Sequence, residues 1–377
     1  MSNPFTPDSF GPEAVVMVSD PMTGMRGFLV IDNTVLGPGK GGIRMTGTVT
    51  AEEVMRLART MTWKNAIAGI PFGGAKAGMV WEGGSAEKKE KHVAAFARAL
   101  SPFIPKRYIA GPDVNSGENE MKWFADATGK WNSATGKPRD YCAPGKPDRC
   151  GIPHEVGSTG FGVAKSALVT AGLLKKNPAD LRVAIEGFGN VGSFAFHFLK
   201  EAGCRIVAVS DSKGTAVREE GFDEALLKEL KSTGKSVADY PGATRGARND
   251  IFSLDVDILI PATVTDVITE EMIDSIRAKM IVEGANIPMQ EKVERALFER
   301  GIVIVPDFVA NAGGVISSYA EYRGYSIEKM FSLVEKKITA ATKRIMKESL
   351  RSHTFARDVG MTLAQKIVSD RMARRNV

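Results

Sequence analysis

The chain has 377 residues, a length that usually divides into two domains, and its 43% apolar and 25% charged residues are typical of a globular protein. No stretch approaches the ~18 consecutive apolar residues of a membrane span, so we expect no membrane segment. The net charge of +6 comes from lysines and arginines that alternate with acids, as in EKKEKH and DEALLKELK. This alternation predicts solvated helix faces and no nucleic-acid partner.

The cysteines and the N-terminus predict a cytoplasmic protein. Cys142, Cys150 and Cys204 are odd in number and irregularly spaced, which is typical of a reducing compartment. No zinc-binding pattern surrounds them, and we predict no metal site. The first thirteen residues lack a basic segment followed by an apolar run, so a secretory signal is not expected.

The first 165 residues mix strands and helices. The runs AVVMVSD and MRGFLVIDN predict strands, and the short run YIA predicts another. A capping box that begins at Thr50 predicts the start of a helix. The stretch 135–157, rich in Gly, Pro and charge, predicts a long irregular connection. Helices are expected over residues 51–68, over 87–100, around Met121 and from residue 162.

From Leu181 the sequence pattern changes. Five β-rich runs alternate with four helical patterns, which predicts a parallel sheet covered by helices on both faces. After Ala310 the chain is helical to its end. The strand runs are RVAIEGF, RIVAVSD, DILIPA, KMIVEGA and IVIVPDF, and the helical patterns are VGSFAFHFLKEAG, FDEALLKELK, TEEMIDSIRA and QEKVERALFERG.

These patterns predict an α/β protein of two domains. Residues 1–165 form an N-terminal domain with a mixed sheet, which the C-terminal helix 345–377 rejoins. Residues 166–344 form a Rossmann-like, doubly wound dinucleotide-binding domain.

A glycine-rich motif follows the strand RVAIE and opens a helix, as a dinucleotide fingerprint requires. Its first glycine allows a tight turn, the second admits the pyrophosphate, and the third lets the helix pack on the sheet. Asp211 ends the next strand and is placed to bind the adenosine ribose, which slightly favours NAD. Ser212 beside it could receive the 2′-phosphate of NADP, so both cofactors stay open. The motif residues are Gly187, Phe188, Gly189, Asn190, Val191 and Gly192.

Three lysines lie among small or aromatic residues rather than on charged helix faces. Lys40 is in GPGKGG, Lys64 in MTWKN and Lys76 in FGGAKAG. Backbone that approaches a lysine closely desolvates it and lowers its pKa, which equips it for proton transfer. Asp113, in AGPDVN, ends a short strand just before a helix. The plain alternatives are loop lysines and a turn aspartate.

From about Gly37 to Tyr322 the chain resembles the glutamate/leucine/phenylalanine/valine dehydrogenase family. The resemblance implies that Lys76 is the catalytic lysine, that Asp113 is the general acid/base, and that Lys64 binds the substrate α-carboxylate. The matching segments are KGGIRM, MTWKNAIAGIPFGGAKAG, GPDV, GSTGFGV, GFGNVG, DILIPA, VEGAN and NAGGVISSYAEY.

The resemblance also assigns the remaining site positions. Lys40 and Ser318 stand where glutamate-specific relatives bind the distal carboxylate, whereas branched-chain and aromatic relatives carry apolar residues. Positions expected to line the cofactor and the reacting end of the substrate are Thr159, Ala262, Thr263, Asn286 and Asn311.

The implied activity is reversible, NAD(P)-dependent oxidative deamination of L-glutamate to 2-oxoglutarate and ammonia. Phe161 stands where many glutamate enzymes carry arginine, so a branched-chain or aromatic substrate is the alternative. The resemblance also implies a homo-oligomer, with a hexamer favoured. A non-catalytic dinucleotide or amino-acid sensor remains a second alternative. A 2-hydroxyacid dehydrogenase would need a catalytic histidine, and only His154 lies in a predicted loop.

Overall fold

The structure is a computed structural model that describes residues 6–375, and the chain forms two compact units. The first unit comprises Met1–Val156, Val315–Leu333 and Met361–Val377, and the second comprises Gly157–Gly314 and Val334–Gly360. The predicted single C-terminal helix 345–377 is instead divided, because one helix ends at Ser352 and the next begins at Ala356. The boundary between the two units also lies within this stretch, after Gly360, and the last two residues lie outside the described part.

The first unit is built on a mixed five-stranded sheet, as the sequence predicts. The sheet order is β1-β2-β4-β3-β5, in which β3 is parallel to β4 and β5 and the other pairs are antiparallel. The strands are β1 (Ala14–Asp20), β2 (Met25–Asn33), β3 (Gly39–Thr46), β4 (Gly73–Val80) and β5 (Tyr108–Gly111).

Helices cover both faces of this sheet. Because strand side chains alternate between faces, Leu29 packs with Phe96 and Phe124, whereas Val30 packs with Val54. The helices are α1 (Ala51–Ile67), α2 (Ala86–Ala99) and α3 (Glu118–Thr128).

The central strands β3 and β4 are rich in glycine. The sequence analysis does not predict them, because glycine is uncommon inside strands. Close packing explains their composition. A Cβ on Gly41 would lie 1.7 Å from the carbonyl oxygen of Ala75, and one on Gly74 would lie 2.0 Å from Thr62 Oγ1. The segments that carry Lys40 and Lys76 are thus central strands, packed closely against their neighbours.

The predicted irregular connection 135–157 contains a two-stranded hairpin, β6 (Cys142–Ala143) and β7 (Lys146–Cys150). Cys142 and Cys150 are cross-strand partners joined by a disulfide, and Cys204 is a buried free thiol. The hairpin register brings the two cysteines together. The spacing of the cysteines alone does not predict that register.

The second unit contains a seven-stranded sheet in the order β11-β10-β9-β8-β12-β13-β14. The five predicted strands are parallel, which confirms the doubly wound arrangement. Two short antiparallel strands extend one edge. The strands are β8 (Arg182–Glu186), β9 (Arg205–Asp211), β10 (Gly214–Val217), β11 (Thr244–Gly246), β12 (Ile258–Pro261), β13 (Met280–Val282) and β14 (Val303–Val305).

Helices separate these strands and form the C-terminal part of the chain. The predicted helix TEEMIDSIRA is wrong, because only a 3-10 helix, Glu270–Ser275, forms there. Ile268 and Ile276, which flank it, are both buried in the core. The helices are α4 (Ser158–Leu173), α5 (Asn190–Glu201), α6 (Glu224–Ser232), α7 (Glu291–Glu299), α8 (Asp307–Ala310), α9 (Gly313–Arg323), α10 (Ile327–Ser352) and α11 (Ala356–Arg375). Within residues 6–375, no helix combines the length and apolarity that crossing a bilayer requires.

Candidate active site

Lys76 and Asp113 form a buried ion pair in the first unit. Lys76 lies on β4 with its Nζ 3.2 Å from Oδ1 of Asp113, which follows β5. Arg44 Nε donates to the other carboxylate oxygen at 2.9 Å, and Arg44 also pairs with Glu53 at 2.6 Å. Ser116 fixes the aspartate's backbone, because its hydroxyl accepts from the Asp113 N–H at 2.9 Å.

The surroundings of this pair shift both pKa values downward. Burial lowers the pKa of Lys76 and outweighs the opposing charge of Asp113. Burial would raise the pKa of Asp113, but the charges of Lys76 and Arg44 hold it below its usual value. The site therefore holds an ionised carboxylate beside a lysine that gives up its proton more readily than usual.

Lys40 lies on β3 and is also buried, with 3% of its surface exposed. Its Nζ donates to the carbonyl of Ala110 at 3.0 Å. Within residues 6–375, no carboxylate forms an ion pair with it. Burial lowers the pKa of Lys40 to about 7, Glu321 opposes that shift, and Lys76 and Lys137 reinforce it. A buried ammonium without an anion is costly and is suited to receive one.

A second buried ion pair, Lys137–Glu321, was missed by the sequence analysis. Lys137 Nζ lies 2.5 Å from Glu321 Oε1 and 3.8 Å from the centre of the Trp131 ring. Glu321 also accepts from the N–H groups of Gly136 and Ile152, at 2.7 and 2.9 Å. The only signal in the sequence was a lysine inside the apolar and Gly-Pro-rich stretch ATGKP.

The other two residues of the first unit that the sequence analysis predicts for the substrate site, Ser318 and Lys64, lie on helices. Ser318 is on α9, one turn before Glu321, and is 8% exposed. Lys64 is in the last turn of α1, beside Asn65, whose amide donates to the carbonyl of Gly73 at 2.7 Å. This bond ties the lysine-bearing turn to the start of β4.

The glycine motif of the second unit has the geometry of a phosphate loop. Gly187 follows β8 with φ +95°, and a Cβ on Gly192 would lie 1.8 Å from the Gly187 carbonyl oxygen. A Cβ on Gly189 would meet nothing within 4 Å, so space is open at the N-terminus of α5. A pyrophosphate fits there, against backbone N–H groups and the positive end of the helix dipole. Phe188 beneath it packs on Phe196.

Glu186, a further residue that the sequence analysis missed, ties the ends of β8 and β12 together. Its carboxylate accepts from the hydroxyl of Thr263 at 2.7 Å, and its carbonyl accepts from the N–H of Ala262 at 2.8 Å. The sheet order reverses between these two strands, which is where such folds bind their ligands.

The Asp211 carboxylate accepts four hydrogen bonds from residues of its own domain. Its Oδ1 accepts from Ser236 Oγ at 2.7 Å and from the Lys213 N–H at 2.9 Å. Its Oδ2 accepts from the Val237 N–H at 3.0 Å and from Lys231 Nζ at 3.4 Å. These four bonds use the acceptor capacity that ribose hydroxyls would need. Ser212 beside it is exposed.

Asn286 and Asn311 are hydrogen-bonded to each other in the second unit, and Thr159 lies beside Gly313, two residues after Asn311. Asn311 Nδ2 donates to Asn286 Oδ1 at 2.9 Å and to the carbonyl of Ala285 at 3.2 Å. A Cβ on Gly313 would lie 2.0 Å from the carbonyl oxygen of Ser158 and 3.1 Å from Thr159 Cα. The start of α4 therefore packs directly on the residues that follow Asn311.

Comparisons with known proteins agree with this architecture. Residues 12–130 match the model of the Glu/Leu/Phe/Val dehydrogenase dimerisation domain, and residues 150–375 match that of glutamate/leucine/phenylalanine/valine dehydrogenase. A glutamate dehydrogenase of Aeropyrum pernix is 37% identical over 83% of this chain and 77% of its own. An NADP-specific glutamate dehydrogenase of Saccharolobus shibatae is 35% identical over 96% and 89%. The hetero-hexameric glutamate dehydrogenase of Thermus thermophilus, in its Leu-bound form, superposes with a TM-score of 0.82 at 26% identity, over 97% of this chain and 90% of that chain.

Proposed function

Because the chain belongs to the glutamate/leucine/phenylalanine/valine dehydrogenase family and is an NAD(P)-dependent amino-acid dehydrogenase, we propose that it oxidatively deaminates L-glutamate to 2-oxoglutarate and ammonia, reversibly. The observation that carries this choice is Lys40, a buried amine that donates to a carbonyl and, within residues 6–375, forms an ion pair with no carboxylate. The distal carboxylate of glutamate supplies the missing anion. Ser318 is the second group that we assign to it.

An apolar amino acid fits this pocket poorly. Leucine or phenylalanine would leave the Lys40 amine against hydrocarbon with no anion to bind, and burying a polar or charged group without a new partner is costly. A site built for a polar group rejects analogues that lack it more strongly than a hydrophobic pocket rejects a larger side chain. Lys40 therefore favours glutamate over the branched-chain and aromatic alternatives.

We assign the chemical steps to Lys76 and Asp113. Lys64 holds the α-carboxylate, which places the Cα hydrogen for transfer. A bound nicotinamide would accept hydride from Cα and leave the substrate as an iminium. Asp113 starts as a carboxylate, because the charges of Lys76 and Arg44 lower its pKa, and it takes a proton from the substrate ammonium group before hydride transfer. Lys76, with its lowered pKa, takes a proton from the water that attacks the iminium carbon, and Asp113 returns its proton to the departing nitrogen.

The cofactor is NAD or NADP, and we propose that NADP is accepted at least as well as NAD. The slight preference for NAD in the sequence depends on an Asp211 carboxylate that is free to bind ribose. Its four protein hydrogen bonds weaken that argument, and exposed Ser212 is beside it. The Saccharolobus relative is named NADP-specific, which supports the same choice.

We further propose a homohexamer assembled through the first domain. The support is the match of residues 12–130 to a dimerisation-domain model and the likeness to a hexameric Thermus enzyme. Light scattering after gel filtration should give six times the chain mass of 40.6 kDa. A monomer or dimer would contradict the assignment.

The activity is tested by mixing the purified protein with NAD or NADP and single L-amino acids, and following the absorbance of the reduced nicotinamide. We expect rapid reduction with glutamate and slow reduction with leucine, valine and phenylalanine. A preference for one of those three would overturn the assignment of Lys40 and Ser318. Cofactor binding without reduction by any amino acid would favour a sensor.

A further inference from the structure

Three buried carboxylates converge on one arginine in the second unit, and the proposed chemistry uses none of these four residues. Arg357, at the start of α11, pairs with Glu294 at 2.5 Å, with Glu283 at 2.9 Å and with Asp307 at 3.2 Å. Glu283 and Glu294 are fully buried, and Asp307 is 6% exposed. We call these four residues the Arg357 cluster.

The Arg357 cluster has one positively charged side chain and three acidic ones. One guanidinium faces three buried carboxylates, and burial favours the protonated form of the two glutamates. Burial and the charge of Glu294 raise the pKa of Glu283 well above its usual value, and burial raises the pKa of Glu294 to about 7. Buried ionic groups of this kind can fix one conformation of the chain around them.

The conformation in question is the turn that follows β13. Ile287 has φ +48° and is 46% exposed. A β-branched residue in the left-handed region is strained, and an exposed isoleucine gains little from burial in return. The surrounding structure must therefore hold it in place.

The Arg357 cluster supplies that restraint. The Ile287 N–H donates to Oδ2 of Asp307 at 3.1 Å, while Oδ1 of the same carboxylate pairs with Arg357. The Asp307 N–H in turn donates to Glu283 at 2.7 Å. Arg357 thus orients the carboxylate that pins the strained residue.

The pinned turn carries a residue of the proposed active site. Asn286 precedes Ile287 directly, and its side chain accepts from Asn311 at 2.9 Å. Asn311 closes α8, which begins at Asp307, and its N–H donates to the Asp307 carbonyl at 2.9 Å. Asp307 therefore connects both asparagines to the arginine.

We propose that Arg357 is a positioning residue for the dehydrogenase reaction: through Glu283 and Asp307 it holds the Asn286–Ile287 turn in its strained form and so orients Asn286 and Asn311. The role assigned to the two asparagines rests on the proposed function. The restraint on the turn does not, and it is measured separately.

The test uses Arg357→Lys, which keeps the charge among the buried carboxylates but lacks the planar guanidinium that reaches all three. The matched control is Arg295→Lys, since Arg295 also pairs with two carboxylates, Glu291 and Asp358, but does not contact the turn. The third variant combines Arg357→Lys with Ile287→Gly. Glycine adopts a positive φ without strain, so the turn should keep its conformation without the restraint from Arg357.

Two readouts decide the proposal. Hydrogen exchange measured by mass spectrometry on the peptide that contains Ile287 should be faster in Arg357→Lys, and unchanged in the control. The value of kcat/KM for the amino acid should fall about tenfold in Arg357→Lys, stay at the wild-type level in the control, and recover in the variant with Ile287→Gly.

Exchange that is unchanged in Arg357→Lys would overturn the restraint. Faster exchange with unchanged kcat/KM, or a loss that Ile287→Gly does not restore, would overturn the positioning role. If the wild-type protein oxidises no amino acid, the proposed function fails, while the exchange experiment still decides whether Arg357 holds the turn.

Discussion

The Nζ of Lys76 lies 3.2 Å from Oδ1 of Asp113, and Oδ2 of the same carboxylate accepts a hydrogen bond of 2.9 Å from Arg44. The carboxylate is thus shared between a lysine that can lose its proton and an arginine that cannot. This sharing sets the protonation states that the proposed chemistry needs.

Arg44→Gln should move the pH dependence of the reaction. The charge of Arg44 lowers the pKa of both Lys76 and Asp113, so its removal raises both. In the direction of deamination Lys76 must lose a proton, and the rise of kcat/KM with pH should therefore shift to higher pH. The pH profile of initial rates measures this shift. Arg44→Lys keeps the charge and should keep the profile, and equal profiles in wild type and Arg44→Gln would contradict the argument.

Lys40→Met should change substrate preference without abolishing catalysis. The variant removes the buried charge that we assign to the distal carboxylate, so kcat/KM for glutamate should fall by on the order of 10²-fold or more. The value for norleucine should rise, because its apolar side chain no longer faces an ammonium. Lys122→Met, at an exposed lysine of α3, is the control. An equal loss for both substrates would mean that Lys40 serves the reaction and not specificity.

Glutamate binding should take up a proton near pH 8. Burial lowers the pKa of Lys40 to about 7 in the free protein, so the amine is largely neutral at that pH. A carboxylate placed beside it favours the charged form and raises its pKa, and the proton comes from the buffer. Calorimetry in two buffers of different ionisation enthalpy counts these protons. Lys40→Met should abolish the uptake, and proton release in the wild type would contradict the assignment.

Two glycines of the phosphate loop should respond to alanine in opposite ways. The space beside Gly189 is open, so Gly189→Ala should fold normally. It should weaken dinucleotide binding, because the new methyl group would occupy the place that we propose for the pyrophosphate. Gly192→Ala puts a methyl group 1.8 Å from a carbonyl oxygen and should lower the melting temperature. Thermal unfolding and cofactor titration measure the two effects. A Gly189→Ala variant that binds NADP like the wild type would exclude this loop as the phosphate site.

The pattern of the second domain could be read directly from the chain. A parallel strand buried on both faces is an uninterrupted apolar run, and the five runs from RVAIEGF to IVIVPDF are the five parallel strands. The glycine motif could also be recognised in the sequence, because a tight turn and close packing of the helix require glycines at these spacings. The central strands of the first domain could not be read in this way. Gly41 and Gly74 are glycines because atoms of neighbouring segments leave no room for a Cβ. The sequence does not show which atoms will lie there.

The sequence by itself determined the fold class, the family, and the identity of Lys40, Lys76 and Asp113 as candidate site residues, because local periodicity and short motifs carry that information. Only the tertiary structure decided what those residues touch. The carboxylate partner of Lys76, the absence of one for Lys40 within the described chain, and the engagement of Asp211 all depend on residues distant in sequence. So does the pairing of Lys137 with Glu321, 184 positions apart. Charge and burial at such contacts arise from packing, which brings together groups that no local pattern relates.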